Sequence, residues 1–338
     1  MERDGLTAGD LGEFGLIERL TRMLGLPSDE RLIAGIGDDA AVWRCGDAFV
    51  IATTDTMVAG GHFLPDQAAW RDIGWKALAS NVSDIAAMGG APSFALVTLC
   101  VPAETHLDAL DELYAGIGEC ASAYNVTVAG GDVVASPVFT VTIALMGEAM
   151  CAADGSPLLL RRSAALPGDG VAVTGPLGGS GGGLRALLEG GGRRSDVHAA
   201  LVRRHMRPRP RVDAGRAAVT AGVHCGMDIS DGLVQDLGHI CKASNAGADL
   251  AIDRVPIDPS LVAAYPDAAR AIAATAGEDY ELLLVARDDV LANVSTGLNA
   301  PLTIVGQIVE GDARVRVLDA AGKEVALDHA GFDHLKRG

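Results

Sequence analysis

Asp38 and Asp39 stand side by side in the glycine-flanked turn GIGDDAA, and the apolar run Phe49 to Ala52 then leads into Thr53, Thr54 and Asp55. Carboxylates at both ends of one hairpin-like unit are hard oxygen donors, the kind a divalent cation such as Mg²⁺ takes. An Asp-Asp turn followed by a strand that ends in Asp55 is the structural alternative, since Asp favours turns through local hydrogen bonds. Recurrence decides between the two. Asp84 in NVSDIAAMGG, Asp132 in VAGGD, and Asp228 and Asp231 in MDISDGL each lie beside Gly or Ser and border an apolar segment. Repeated carboxylates of this kind are what a multi-metal polyphosphate site needs.

The elements that must position these residues belong to a chain of 338 residues, long enough for two domains, with 49% apolar residues and 43 glycines. A net charge of −17 argues against a general nucleic-acid binder and against an anionic membrane surface. Phosphates bound by so acidic a protein must be neutralised locally, and carboxylate-held metal ions do that. The six cysteines are irregularly spaced with no CxxC pair, so neither zinc nor a redox pair is indicated. Free thiols suit a reducing cytoplasm. The acidic start, MERDGLTAGD, is no signal peptide, and no apolar run reaches the ~18 residues of a membrane span.

Periodicity predicts an amphipathic helix over 10–25 with Leu11, Phe14, Ile17 and Leu20 on one face. A loop from Met57 to Asp66 carries His62. A helix over 70–88 has Trp75, Leu78, Val82 and Ile85 as its apolar stripe, with Asp84 pointing away among uncharged neighbours. A strand over 94–101, a helix over 104–124 with Tyr114 at its middle, and a strand reaching Gly130-Gly131-Asp132 follow. After a further strand over 138–146, the order β-β-α-β-α-β-β suits an α/β or α+β sheet domain. A junction over 147–170 holds the pair Arg161-Arg162. The glycine-rich 175–192 stretch is neither a Walker A loop nor a dinucleotide fingerprint. It reads as the approach to a short helix over 184–188. HMRPRPR (205–211) reads as a surface turn before a helix over 212–221. A strand over 224–229 delivers Asp228. Ser230 and Asp231 then precede a helix over 233–244, and N-capping is the alternative role for Asp231. Gly277-Glu278-Asp279 enters another strand, and the chain closes on Gly331-Phe332-Asp333-His334.

The blocks GDDAA, TTDTMVAGGHF, WKALASNVSDIAAMGGAP, GGD, RRSAALPGD, MDISDGL and GEDYELL, taken in order, resemble the thiamine-monophosphate kinase family of the aminoimidazole-ribonucleotide-synthetase-like ATP-binding superfamily. The resemblance implies an α/β (α+β) fold with a mixed-sheet N-terminal domain over 1–148, which binds ATP and Mg²⁺ and dimerises. A C-terminal α/β domain over 149–338 would complete the cleft. It implies direct, Mg²⁺-dependent phosphoryl transfer from ATP to thiamine monophosphate, without a covalent intermediate, in a cytoplasmic homodimer. It makes Asp38, Thr53, Thr54, Asp55, Asp84, Asp132, Asp228 and Asp231 metal ligands or their close support. Tyr114, Gly131, Asp132, Arg162 and Ser230 would contact ATP. His62, Glu278 and Phe332 would contact thiamine monophosphate. Ala59, Gly61 and Val133-Val134-Ala135 depart from the family pattern, which affects loop contacts rather than the carboxylates. Rival readings are a selenophosphate synthetase, a purine-pathway ligase, or a non-catalytic nucleotide-binding maturation partner. The first usually carries a reactive Cys in its N-terminal segment, and residues 1–35 contain none.

Overall fold

In the computed structural model, which describes residues 7–24, 29–190, 195–298, 302–327 and 331–332, the apolar runs pair into two six-stranded sheets. Helix α1 (Ala8–Leu24) leads in. Strands β1 (Leu32–Ala34), β2 (Ala41–Cys45) and β3 (Ala48–Val58) follow, then α2 (Trp70–Ala87), β4 (Ala91–Val101), α3 (Leu107–Ala123), β5 (Thr127–Ala135) and β6 (Thr140–Glu148). The first sheet runs β1-β2-β3-β6-β4-β5, with β4 and β5 parallel and the other pairs antiparallel. A short ribbon, β7 (Met150–Cys151) with β8 (Pro157–Leu158), and a 3₁₀ turn at Arg162–Ala164 connect to the second half. There β9 (Gly170–Val173), α4 (Gly179–Leu188), α5 (Asp196–Met206), α6 (Val212–Thr220), β10 (Cys225–Asp228), α7 (Leu233–Ser244) and β11 (Gly247–Ala251) are followed by α8 (Pro259–Ala264), α9 (Ala269–Thr275), β12 (Leu282–Ala286), α10 (Asp288–Leu298), β13 (Thr303–Val309) and β14 (Val315–Leu318). The second sheet runs β10-β12-β9-β13-β11-β14.

Helix α2 is the keystone. It packs on the first sheet and on α3, and it also meets β10 and α6 of the second half. Its Ala86 and Ala87 belong to the second half's core, beside Ala218, Val219 and Leu282. An apolar stripe with one wet face is therefore too narrow a description: Lys76, Ser80, Asn81 and Ser83 of α2 are buried as well. Glycines set how close its neighbours come. A Cβ at Gly74 would overlap the carbonyl of Leu113 on α3, and one at Gly116 would overlap that of Arg71.

Several sequence expectations change. Asp55 lies inside β3, opposite Ile143, rather than at a strand end, because pairing with β6 carries β3 on to Val58. The glycines of 179–183 lie inside α4 rather than before it. A Cβ at Gly183 would overlap Leu201 of α5 and one at Gly181 would overlap Ala276, so tight packing explains their number. The 205–211 stretch is no surface turn: His205 and Met206 end α5 and are 3% exposed. The stripe of α1 is largely open, with Met23 75% exposed, and the helix breaks at Gly12. Gly74→Ala is expected to lower unfolding free energy by about 2–3 kcal/mol in urea titrations, the scale of core overpacking.

Candidate active site

Three buried or half-buried carboxylates from separate elements converge. Asp39 comes from the turn before β2, Asp84 from the last turns of α2, and Asp228 from the end of β10, and one oxygen of each lies within 4.8 Å of the others. Polar residues of α2 hold the arrangement. The Thr53 hydroxyl on β3 donates to Asp84 Oδ2 at 2.5 Å, and the Ser83 hydroxyl donates to Asp228 Oδ2 at 2.5 Å. Asn81 donates to Ala77 O at 3.0 Å, which turns its Oδ1 outward to accept the Asp55 N–H at 3.1 Å. Residues 81, 83 and 84 thus pin β3 on one side and β10 on the other.

The Arg162 guanidinium grips Asp39. The Arg162 N–H donates to Asp38 Oδ1 at 2.9 Å, and Arg161 Nε lies 3.5 Å from Asp38 Oδ2. The two neighbouring aspartates therefore divide the work: Asp39 joins the carboxylate group and Asp38 holds the arginine segment in place. The pattern flags both aspartates as donors, and the resemblance carries only Asp38 into the ligand set; adjacent residues of a turn point apart, and the sequence does not say which points inward.

Burial pushes the Asp228 carboxyl up to about 8, with Asp39 the next cause. Burial, and then Asp55, Asp228 and Asp39, raise Asp84 well above the carboxylate range. Burial also raises Asp39, against the pull of Arg162. If all three were ionised, one guanidinium against three carboxylates would leave a net −2. Like charges about 4 Å apart cost roughly 4 kcal/mol per pair at an effective dielectric of about 20. Among the described residues, Asp39 Oδ2 is buried with no hydrogen-bond partner. An oxygen-only donor set with uncompensated negative charge fits a hard divalent cation.

Around this centre the loop after β10 folds back. Asp236 of α7 accepts the N–H groups of Ser230, Asp231 and Gly232 at 3.1–3.2 Å, so neither Ser230 nor Asp231 caps the helix; Gly232 occupies the cap position. The side chain of Asp231 is left for Asp236 and His239, whose ligand atoms gather within 4.8 Å. Phe332 lies over this loop, its N–H donating to Asp231 O at 3.2 Å.

On the other side stands the loop before β12. Glu278 and Tyr280 adopt left-handed φ values of 64° and 52°, held by bonds from their N–H groups to Ser230 O and Ile229 O. The alternation sends Asp279 to the N–H groups of Gly178 and Ser180 and Glu281 to Arg211, while Glu278 turns to Lys76, 2.8 Å away. Burial alone would raise the Glu278 carboxyl, but Lys76, then His205 and least of all His62 outweigh it and hold it below the usual range. His62 Nδ1 also accepts the Val58 N–H at 3.2 Å.

Other expected residues stand apart from the carboxylate group. In the pleat, Thr54 faces the opposite way from Thr53 and Asp55. Asp132 shares the row of Thr98, Thr142 and Thr56 on that same outer face of the sheet and accepts the N–H of Val133 at 2.9 Å. Gly131 presses so close to β4 that a Cβ would overlap Val97 O. Tyr114 is 42% exposed on α3. Lys76, Asn81, Ser83 and Asp236 were not singled out by pattern. The available signal was polar residues on every face of a helix otherwise built of small apolar ones.

Two sheets joined by a buried acidic centre define the class. The chain matches the family models "AIR synthase related protein, N-terminal domain" over residues 37–149 and "AIR synthase related protein, C-terminal domain" over residues 167–318. Thiamine-monophosphate kinase of Bacillus subtilis (strain 168) is 35% identical over 334 residues, spanning 96% of this chain and all of that one. The Escherichia coli (strain K12) enzyme of the same name is 36% identical over 337 residues, spanning 96% and 98%. The solved structure of AaThiL complexed with AMPPCP and TMP superposes with a TM-score of 0.86 at 30% identity, covering 98% of this chain and 99% of that one. The chain belongs to the thiamine-monophosphate kinase family.

The site also predicts a pH dependence. Burial, then Lys76, pushes the His205 imidazole down to about 4 from 6.5. Between those values the unfolded chain takes up a proton that the fold refuses, so His205 contributes stability above about 6.5 that is lost as the pH falls towards 4. His205→Gln is expected to flatten the slope of unfolding free energy across that window by about one proton, measured by denaturation at a series of pH values. An unchanged slope would rule the titration out.

Proposed function

We propose that this chain transfers the γ-phosphoryl group of ATP to the phosphate of thiamine monophosphate, releasing ADP and thiamine diphosphate, with Mg²⁺ as cofactor. The observation that carries the reading is the buried group of Asp39, Asp84 and Asp228 between the two sheets, in a chain similar over nearly its whole length to thiamine-monophosphate kinases. These three, with Asp38, Thr53, Asp55 and Asp231 close by, would hold Mg²⁺. The ion, when bound, neutralises polyphosphate charge as it builds up on the transferring group.

The protein's own residues bind and orient. Thr53 and Ser83 fix the rotamers of Asp84 and Asp228, and Arg162 grips Asp39, opposing the rise that burial imposes on its carboxyl. Arg162, Ser230, Gly131, Asp132 and Tyr114 would meet the nucleotide, whose approach along β5 would bring Thr54 and Asp132 into use. His62, Glu278 and Phe332 would receive the acceptor. An oxygen of its phosphate attacks the γ-phosphorus as the bond to ADP breaks. That oxygen carries negative charge near neutral pH, so no general base is required. Covalent catalysis by a thiol is not needed either: burial pushes Cys120 and Cys225 up to about 12.

The working form would be a cytoplasmic homodimer. Phe94, Leu96 and Val134 lie 42–51% exposed on the outer sheet face, which a second copy would cover. The six free thiols accord with a reducing compartment.

With ATP, Mg²⁺ and thiamine monophosphate, the purified chain is expected to form thiamine diphosphate, followed by chromatography, and to stop when EDTA is added. Asp84→Asn should lower kcat by about 10²-fold or more; retention of full activity would remove the carboxylate group from the mechanism. Asp132→Asn should raise the Mg²⁺ concentration for half-maximal rate about tenfold, and an unaltered requirement would place Asp132 outside the ligand set.

A further inference from the structure

Lys76 of α2 is 1% exposed, yet it carries an ammonium into the wall of the cleft. Its Nζ lies 2.8 Å from Glu278 Oε1 and 3.2 Å from His205 Nε2. An ammonium can only donate, so Nε2 accepts and the ring hydrogen sits on Nδ1. That nitrogen is 3.0 Å from the Ser180 hydroxyl and 3.5 Å from Glu278 Oε2. Residues of α2, α4, α5 and the loop before β12 thus meet at one buried polar point. Burying an ammonium is costly, and packing alone would be served as well by Met. What the cost secures is the place of Glu278. Glu278 sits at φ 64° on a strained loop with its side chain 32% exposed, and its carboxylate would otherwise be free to turn.

We propose that Lys76, anchored by His205, is a positioning residue for acceptor recognition: it holds the Glu278 carboxylate in one place, so that its exposed part is presented to the ring end of the acceptor. This rests on the reading of the site as a thiamine monophosphate kinase. The acceptor has a cationic thiazolium and an aminopyrimidine with N–H donors, which a pre-oriented carboxylate edge suits.

Steady-state kinetics on the full chain with ATP, Mg²⁺ and thiamine monophosphate test this. Lys76→Met is expected to raise KM for thiamine monophosphate about tenfold while KM for ATP stays within about twofold. In a Glu278→Gln background the same change should add nothing, because Lys76 acts through Glu278. An equal rise in both backgrounds, or a matching rise in KM for ATP, would overturn the proposal. Should Lys76→Met fail to fold, His205→Leu removes the anchor and is expected to raise KM for thiamine monophosphate about threefold. His205→Gln, whose carbonyl can still accept from the ammonium, should restore it, and no rise with Leu would likewise overturn the proposal. A wild-type chain that leaves thiamine monophosphate unphosphorylated would instead overturn the functional reading, and this proposal with it.

Discussion

Mutual repulsion among Asp39, Asp84 and Asp228 is the constraint from which the architecture follows. Three carboxylates cannot be drawn within 4.8 Å of one another in a buried place unless other groups hold them there. Hydroxyls from Thr53 and Ser83, the Arg162 guanidinium and the Asn81 lock on β3 all serve that end. They must come from both halves of the chain, so the halves must meet at α2. A helix with polar groups on the faces that amphipathic logic leaves to water is the result.

That demand passes into the backbone through glycine. The α2–α3 crossing at Gly74 and Gly116, and the seam where a Cβ at Gly215 would overlap the carbonyl of Ala86, bring helices to distances that side chains forbid. Gly277 plays the same part beside Ser230, letting the loop before β12 lie on the loop after β10. Loop on loop is how Glu278 comes to stand beside Ser230. The left-handed backbone at Glu278 and Tyr280 costs about 1 kcal/mol or more each and is held by two backbone hydrogen bonds to that neighbouring loop.

Two regions divide the cleft by charge. Around Asp84 the field is strongly negative and asks for cations. Around Glu278 the carboxylate is paired with Lys76 and backed by His205. In the function proposed, this separation would let one cleft treat a polyphosphate and a heteroaromatic ring differently.

Much of this was legible in the sequence. Recurrent Asp beside Gly or Ser marked Asp84, Asp132, Asp228 and Asp231 as a set, of which the fold brings Asp84 and Asp228 together with Asp39. Hydrophobic periodicity located α2, α3, β4 and β6, and the ordered motif blocks pointed to the family. These features are local: a strand's alternation and a small residue beside a carboxylate are written in neighbours. The sequence by itself determined the elements, the donor chemistry and the kinship. Tertiary structure alone decided which of Asp38 and Asp39 points inward, that Asp55 lies within a strand, and that Asp132 and Thr54 face away from Asp84. It also buried His205 against Lys76, across 129 residues of chain. Those outcomes depend on which strand pairs with which and on how closely helices cross, and such long-range contacts leave no periodic trace in the residues that make them.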